Sequence, residues 1–147
     1  MIYFFDTSAL VKYYTDEKGS GQITDVIQDS KTYIFISELT CIEIKSSFAT
    51  KCRTGQITQN QWQIATMAFD ESLTNFYVRP INEAVILRAE WLIQTFAVRY
   101  ALRTLDAIQL ATYQQLTYSK FILASADDRL NLLAREFDHI VWNPNSL

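Results

Sequence analysis

Glycine, proline and histidine are scarce in this chain of 147 residues: Gly19, Gly21 and Gly55, Pro80 and Pro144, and His139 alone. All-β folds built on tight turns use more glycine and proline, so helices are favoured. One histidine excludes a His-rich zinc site and gives Ser–His–Asp or Cys–His catalysis little support; His139 reads as a structural neighbour of the last strand. Cys41 and Cys52 fall in one expected helix, about 16 Å apart along its axis. That is too far for a disulfide, so both read as core fillers in a reducing, cytoplasmic setting. No apolar run approaches the roughly 20 residues of a membrane span, and Met1–Asp6 lacks the basic start of a signal peptide. Positive charge is also in short supply: 13 Lys plus Arg stand against 16 Asp plus Glu, a net charge of −3. That balance by itself argues against a broad basic nucleic-acid surface. Gly19-Ser20-Gly21 lacks the further glycine and Lys-Ser/Thr of a phosphate loop.

What the chain has is apolar substance. It is 49% hydrophobic and 14% aromatic, too apolar and too weakly charged for disorder. A chain of this length buries roughly 68–70% of its unfolded surface, enough for its own core, and one domain over residues 1–147 is expected. Apolar, β-rich runs predict strands at Ile2–Phe5, Tyr33–Ile36, Phe76–Arg79, Phe121–Ala124 and Ile140–Trp142. Helices are predicted at Thr7–Tyr14, Ser20–Gln28, Glu38–Arg53 (capped by Ser37 and stopped near Gly55), Thr58–Thr74, Ile81–Ala97, Arg103–Tyr118 and Asp127–Glu136. The Thr58–Thr74 helix has an apolar stripe of Trp62, Ala65, Phe69 and Leu73, which suits core, dimer interface or a partner groove. Arg103–Tyr118 is apolar nearly all round and should be buried. Strand–helix alternation with apolar strands predicts a parallel sheet covered on both faces, a three-layer α/β/α domain with right-handed crossovers.

Among sixteen acids, the informative ones interrupt an apolar segment or end a strand. Glu83 and Glu90 fall on a solvated helix face, and Asp16, Glu17, Asp25, Asp29, Asp70 and Glu71 in polar stretches. Asp6 directly follows the first strand, either as helix cap or as cleft residue, since open α/β sheets bind ligands outside their strand carboxyl ends. Asp127 follows the fourth strand in Ser125-Ala126-Asp127-Asp128, where Ser125 and Asp128 suit a capping box and leave Asp127 over. Asp106 sits in the first turn of the most apolar helix, where the helix dipole also favours an acid. Glu43 shares a polar helix face with Ser46, Ser47 and Thr50. In a parallel sheet these four positions lie toward one edge. Two carboxylates about 4 Å apart repel by roughly 4 kcal/mol at an effective dielectric of 20, so such a cluster needs protonation or a cation. All-oxygen ligands favour Mg²⁺ or Mn²⁺ over zinc, and carboxylate-held Mg²⁺ suits phosphoryl chemistry.

These residues bring a family into view. The chain resembles the PIN-domain ribonucleases, specifically VapC-like toxins of type II toxin–antitoxin systems, over essentially its whole length. The resemblance rests on Phe5-Asp6-Thr7-Ser8-Ala9-Leu10, Ser37-Glu38-Leu39-Thr40-Cys41-Ile42-Glu43, Leu105-Asp106-Ala107-Ile108-Gln109-Leu110-Ala111 and Ser125-Ala126-Asp127-Asp128-Arg129-Leu130, in that order. It implies a Rossmann-like parallel sheet of order 3-2-1-4-5 and an acidic pocket for one or two Mg²⁺ or Mn²⁺. Asp6, Glu43 and Asp106 match the three core acids and Asp127 the more variable fourth; Ser8 matches a hydroxyl that supports the first acid. The implied activity is metal-dependent hydrolysis of RNA by activated water, leaving 5′-phosphate and 3′-hydroxyl ends, and the implied partners are an antitoxin protein and a second copy in a homodimer. Lys12, Arg103 and Arg129 fall near the expected rim as candidate phosphate contacts; Tyr13 and Tyr14 could stack on unpaired bases, though core packing is the safer reading for most of the aromatics.

Two other classes fit less well: a non-catalytic RNA- or protein-binding module of the same fold, and an acidic-pocket phosphotransfer domain. The latter wants paired acids after the first strand and a late lysine, where this chain has Asp6-Thr7-Ser8 and Ser125-Ala126-Asp127. One or two bound Mg²⁺ would move the net charge from −3 to about −1 or +1, concentrated in one pocket. Phosphate would then be bound through metal at a cleft, and RNA binding without divalent metal should be weak.

Overall fold

The computed structural model describes residues 1–116 and 120–146. Five strands form one all-parallel sheet: β1 (Ile2–Phe5), β2 (Tyr33–Ser37), β3 (Tyr77–Arg79), β4 (Phe121–Ala124) and β5 (Ile140–Trp142), in the order β3-β2-β1-β4-β5. This is the topology expected. β1 lies at the centre, with Phe5 level with Ile36 of β2 and Ala124 of β4. The residues that follow these three strands therefore emerge side by side.

Side chains alternate across a strand, and β1 shows the consequence. Tyr3 and Phe5 point into one core with α1 (Thr7–Tyr14), α2 (Ser20–Gln28), α3 (Glu38–Arg53) and α4 (Gln59–Ser72). Phe4 points into the other, with α5 (Glu83–Tyr100), α6 (Thr104–Gln114) and α7 (Asp128–Glu136). Phe4 and Phe5 are both fully buried, each contributing about 1.5–3 kcal/mol by burial. The stripe of α4 is core at Ala65 and Phe69, while Ile64 and Met67 on its other side are exposed.

Several boundaries move, each for a local reason. Thr58 and Gln61 form a reciprocal capping box, so α4 starts at Gln59; a single 3₁₀ turn, Leu73–Asn75, closes it. Phe76 is buried in the core and β3 begins one residue later. α5 runs on to Tyr100 and ends where Ala101 takes a left-handed conformation, φ 51°. That residue turns the chain back within three residues, so that α6 packs on α5. α6 stops at Gln114; the part of its expected span at residues 117–118 lies outside the described residues. Cys41 and Cys52 are free thiols.

Candidate active site

A cleft of about 610 Å³ opens where β1, β2 and β4 end, and Asp6, Glu43, Asp106 and Asp127 all line it. Each acid arrives by a different route. Asp6 is the first residue beyond β1 and the N-cap of α1. Glu43 sits in the second turn of α3, which Ser37 caps directly after β2. Asp106 is in the first turn of α6, and Asp127 caps α7 after β4. A smaller cavity of about 300 Å³, between Tyr113 and His139, contains none of the four.

Asp6 is 4% exposed, and both its oxygens are engaged. Oδ1 accepts from the Ala9 N–H at 3.0 Å and from Ser8 Oγ at 2.7 Å, and Oδ2 from Ser125 Oγ at 2.6 Å. Ser8 Oγ in turn accepts the Ala126 N–H at 2.9 Å, tying the β4 loop to α1. Helix cap and cleft residue are thus one group: the cap bond uses Oδ1, and the carboxylate still faces the cleft. Burial pushes the Asp6 carboxyl up to about 6 despite the opposing hydrogen bonds, and the charge of Asp127 adds to the rise.

Glu43 is held through one oxygen. Its Oε1 accepts from Thr7 Oγ1 at 2.9 Å and from Gln109 Nε2 at 2.7 Å. Gln109 is 3% exposed and also reaches Thr40 Oγ1 at 2.9 Å, while its own Oε1 is buried without a partner among the described residues. A buried unpaired carbonyl costs about 1–3 kcal/mol; here that cost accompanies a bond linking α6 to the α3 acid.

Asp106 and Asp127 share an arginine. Arg103 Nε donates to Asp106 Oδ2 at 2.9 Å, and Nη2 donates to Asp106 Oδ1 at 3.4 Å and Asp127 Oδ2 at 3.1 Å. The paired carboxylates raise the Arg103 pKa further, Asp106 contributing most.

Three expectations are corrected here. Lys12 is 6% exposed: its Nζ donates to the Lys18 carbonyl at 2.9 Å and lies 3.6 Å from Glu17, away from the cleft. Its helix phase turns it under the α1–α2 loop. Glu17, expected to be merely solvated, is half-buried between Lys12 and Lys51. The Ser125–Asp128 capping box does not form. Asp127 Oδ1 caps α7, accepting from the Arg129 and Leu130 N–H groups at 2.9 and 3.2 Å, because Ser125 is still leaving β4 and is turned onto Asp6. Asp128 instead accepts from Asn143. Arg129 is exposed, with Nε 3.9 Å from Asp127 Oδ1, and Arg103 contacts the acids themselves. Tyr14 packs edge-on to Phe48 and Phe69 as part of the core.

Sequence reasoning passed over Thr7, Gln109 and Lys51, which also line the cleft. Gln109 had a signal: it is the one polar residue in Ala107–Ala111, three positions after Asp106 and so on the same helix face.

The donor set suits a hard divalent ion, being carboxylate oxygen throughout. A guanidinium already stands between Asp106 and Asp127, so the acid pair does gather a cation. Among the described residues, no three Asp, Glu, His or Cys side chains are drawn together as a ready metal group.

The chain belongs to the PIN domain family, whose model matches residues 3–136. The same fold appears in the structure of FitAcB from Neisseria gonorrhoeae, at 19% identity over 100% of both chains with a TM-score of 0.69. It also appears in VapBC2 from Rickettsia felis bound to a promoter DNA fragment, at 14% identity, 97% of this chain and 98% of that one, TM-score 0.62. Mycobacterium tuberculosis VapC20, a Sarcin-Ricin loop cleaving toxin, matches at 15% identity over 89% and 94%, TM-score 0.65. No curated protein matches this chain.

Proposed function

We propose that the protein is a divalent-metal-dependent endoribonuclease, a VapC-like toxin acting in the cytoplasm under the control of a protein antitoxin. The observation that carries this reading is the convergence of Asp6, Glu43, Asp106 and Asp127 on one cleft. Keeping Asp6 buried raises its pKa to about 6, a cost that a helix cap alone does not require, since serine caps as well. Toxin–antitoxin complexes among the proteins that share this fold support the antitoxin partner, and a homodimer is part of the same reading. Free thiols and, among the described residues, no helix long and apolar enough to cross a membrane suit the cytoplasm.

In this reading the four acids hold Mg²⁺ or Mn²⁺ through oxygen. The ion supplies activation of water and neutralisation of phosphate charge. Ser8 and Ser125 orient Asp6; Thr7 and Gln109 fix one oxygen of Glu43 and leave the other without a protein partner among the described residues. Leu39, Ile42 and Leu105 give the cleft an apolar lip, against which a splayed nucleotide can rest. Arg129 is placed to meet phosphate beyond the acids.

The test is cleavage of single-stranded RNA in Mg²⁺ or Mn²⁺. We expect fragments with 5′-phosphate ends, full inhibition by EDTA, and loss of more than about 100-fold in Asp6→Asn and Asp106→Asn with the fold retained by circular dichroism. Undiminished cleavage by both variants, indifferent to EDTA, overturns the proposal.

A further inference from the structure

We propose that Arg103 is an exchangeable counter-ion of the cleft: it holds Asp106 and Asp127 while the divalent ion is absent, yields those oxygens when the ion binds, and then contacts the phosphate of the RNA strand. This rests on the nuclease reading above.

The oxygens themselves suggest it. Asp127 Oδ1 is committed to capping α7, which leaves Oδ2 to face the cleft, and its protein partner is Arg103. Apart from Arg103, no protein group donates to either oxygen of Asp106 among the described residues. The guanidinium and an incoming ion therefore want the same three oxygens: Oδ1 and Oδ2 of Asp106 and Oδ2 of Asp127.

Arg103 is also cheap to move. It occupies the N-cap position of α6, but its side chain accepts no cap hydrogen bond. The side chain is 61% exposed, so withdrawing it opens no cavity. Exposed ion pairs are weak and screened by salt, so a doubly charged ion displaces the guanidinium readily. Once displaced, the planar fork stays tethered at the start of α6, beside the ion. Guanidinium geometry suits two phosphate oxygens better than an ammonium does.

The consequence runs opposite to that of a residue that supports the metal: removing Arg103 should tighten metal binding while weakening RNA binding. The experiment titrates Mn²⁺ into the full chain and into Arg103→Ala and Arg103→Lys by calorimetry. Each protein then binds a 2′-O-methyl RNA dodecamer in Mn²⁺, read by fluorescence anisotropy. We expect Arg103→Ala to bind Mn²⁺ roughly three- to tenfold more tightly, with the difference shrinking as salt rises, and the dodecamer several-fold more weakly. Arg103→Lys, which keeps the charge and loses the fork, should fall between on both scales. Equal or weaker Mn²⁺ binding in Arg103→Ala overturns the inference and leaves the nuclease reading standing. Tighter Mn²⁺ binding with an unchanged dodecamer affinity overturns the phosphate role. Absence of Mn²⁺ binding in every variant, wild type included, overturns both readings.

Discussion

The two sides of the cleft restrain their acids by different physics. On one side Asp6 and Glu43 are held by neutral donors: Ser8, Ser125, Thr7 and Gln109. On the other, Asp106 and Asp127 are held by the charge of an exposed arginine. Buried hydrogen bonds to a carboxylate keep one geometry and resist salt, because breaking them strands a charge in a poor solvent. Exposed ion pairs exchange readily and weaken as ionic strength rises. One side is thus preorganised and the other adjustable, an arrangement that suits the proposed binding of both an ion and a strand.

The largest expected effect comes from breaking the preorganised side. Gln109→Leu removes a donor to Glu43 without changing the volume of a buried side chain. We expect Mn²⁺ affinity to fall about 10- to 100-fold, while the melting temperature stays within about 3 °C of wild type, since an orphaned carbonyl is lost as well. Calorimetry beside a thermal melt checks both halves; a collapse in melting temperature with metal affinity preserved would show Gln109 to be structural only. Ser125→Ala should weaken Mn²⁺ binding in the same range, and 0.5 M NaCl should leave that deficit in place, in contrast to Arg103→Ala.

Metal binding itself should then stabilise the fold. At a hundredfold excess over the dissociation constant the gain is about 2.7 kcal/mol, or roughly 5–10 °C for a chain of this size. A thermal melt with and without Mn²⁺ reads it, and Asp6→Asn should abolish the shift.

Lys12 provides the control away from the cleft. Lys12→Met removes the bond to the Lys18 carbonyl and one of the two lysine partners of Glu17, so the melting temperature should fall by about 3–8 °C. Metal affinity and RNA cleavage should match wild type; a selective loss of RNA binding would return Lys12 to the rim.

The smallest effect concerns His139. Burial, with the charge of Arg88 adding to it, lowers its pKa, so it is neutral in the fold at a pH where the unfolded chain is already taking up a proton. Its contribution to stability is complete above pH about 6.5 and is lost as pH falls below that. Melting temperature against pH should therefore flatten below about pH 6.5 in His139→Asn. A slope unchanged from wild type would assign the dependence to other groups.

Most of the fold was legible in the sequence because burial on both faces makes parallel strands continuous apolar runs. Ile2–Phe5 and Phe121–Ala124 could hardly be anything else, and Ser37 before a helical period announced α3. The boundaries that slipped, at Phe76, Leu73 and Tyr100, depend on core contacts and on one left-handed residue that no periodicity encodes. In the site, the four acids stood out because each breaks an apolar context or ends a strand. Lys12 was misplaced because a long side chain near a rim in sequence can be turned under a loop by one step of helix phase. Ser125 looked like a cap and Gln109 was passed over because their partners, Asp6 and Glu43, lie on other elements.

The sequence by itself determined the strand–helix alternation, the two apolar faces of the sheet and the four acids at element ends. Those are local properties, written in periodicity and in the energetics of burying a chain. Apart from Ser8, which the motif after β1 already placed beside Asp6, tertiary structure decided which groups hold each acid: Ser125 for Asp6, Thr7 and Gln109 for Glu43, a guanidinium for Asp106 and Asp127. These contacts join residues as far apart as Asp6 and Ser125, and they form only because parallel pairing brings the ends of β1, β2 and β4 to the same level.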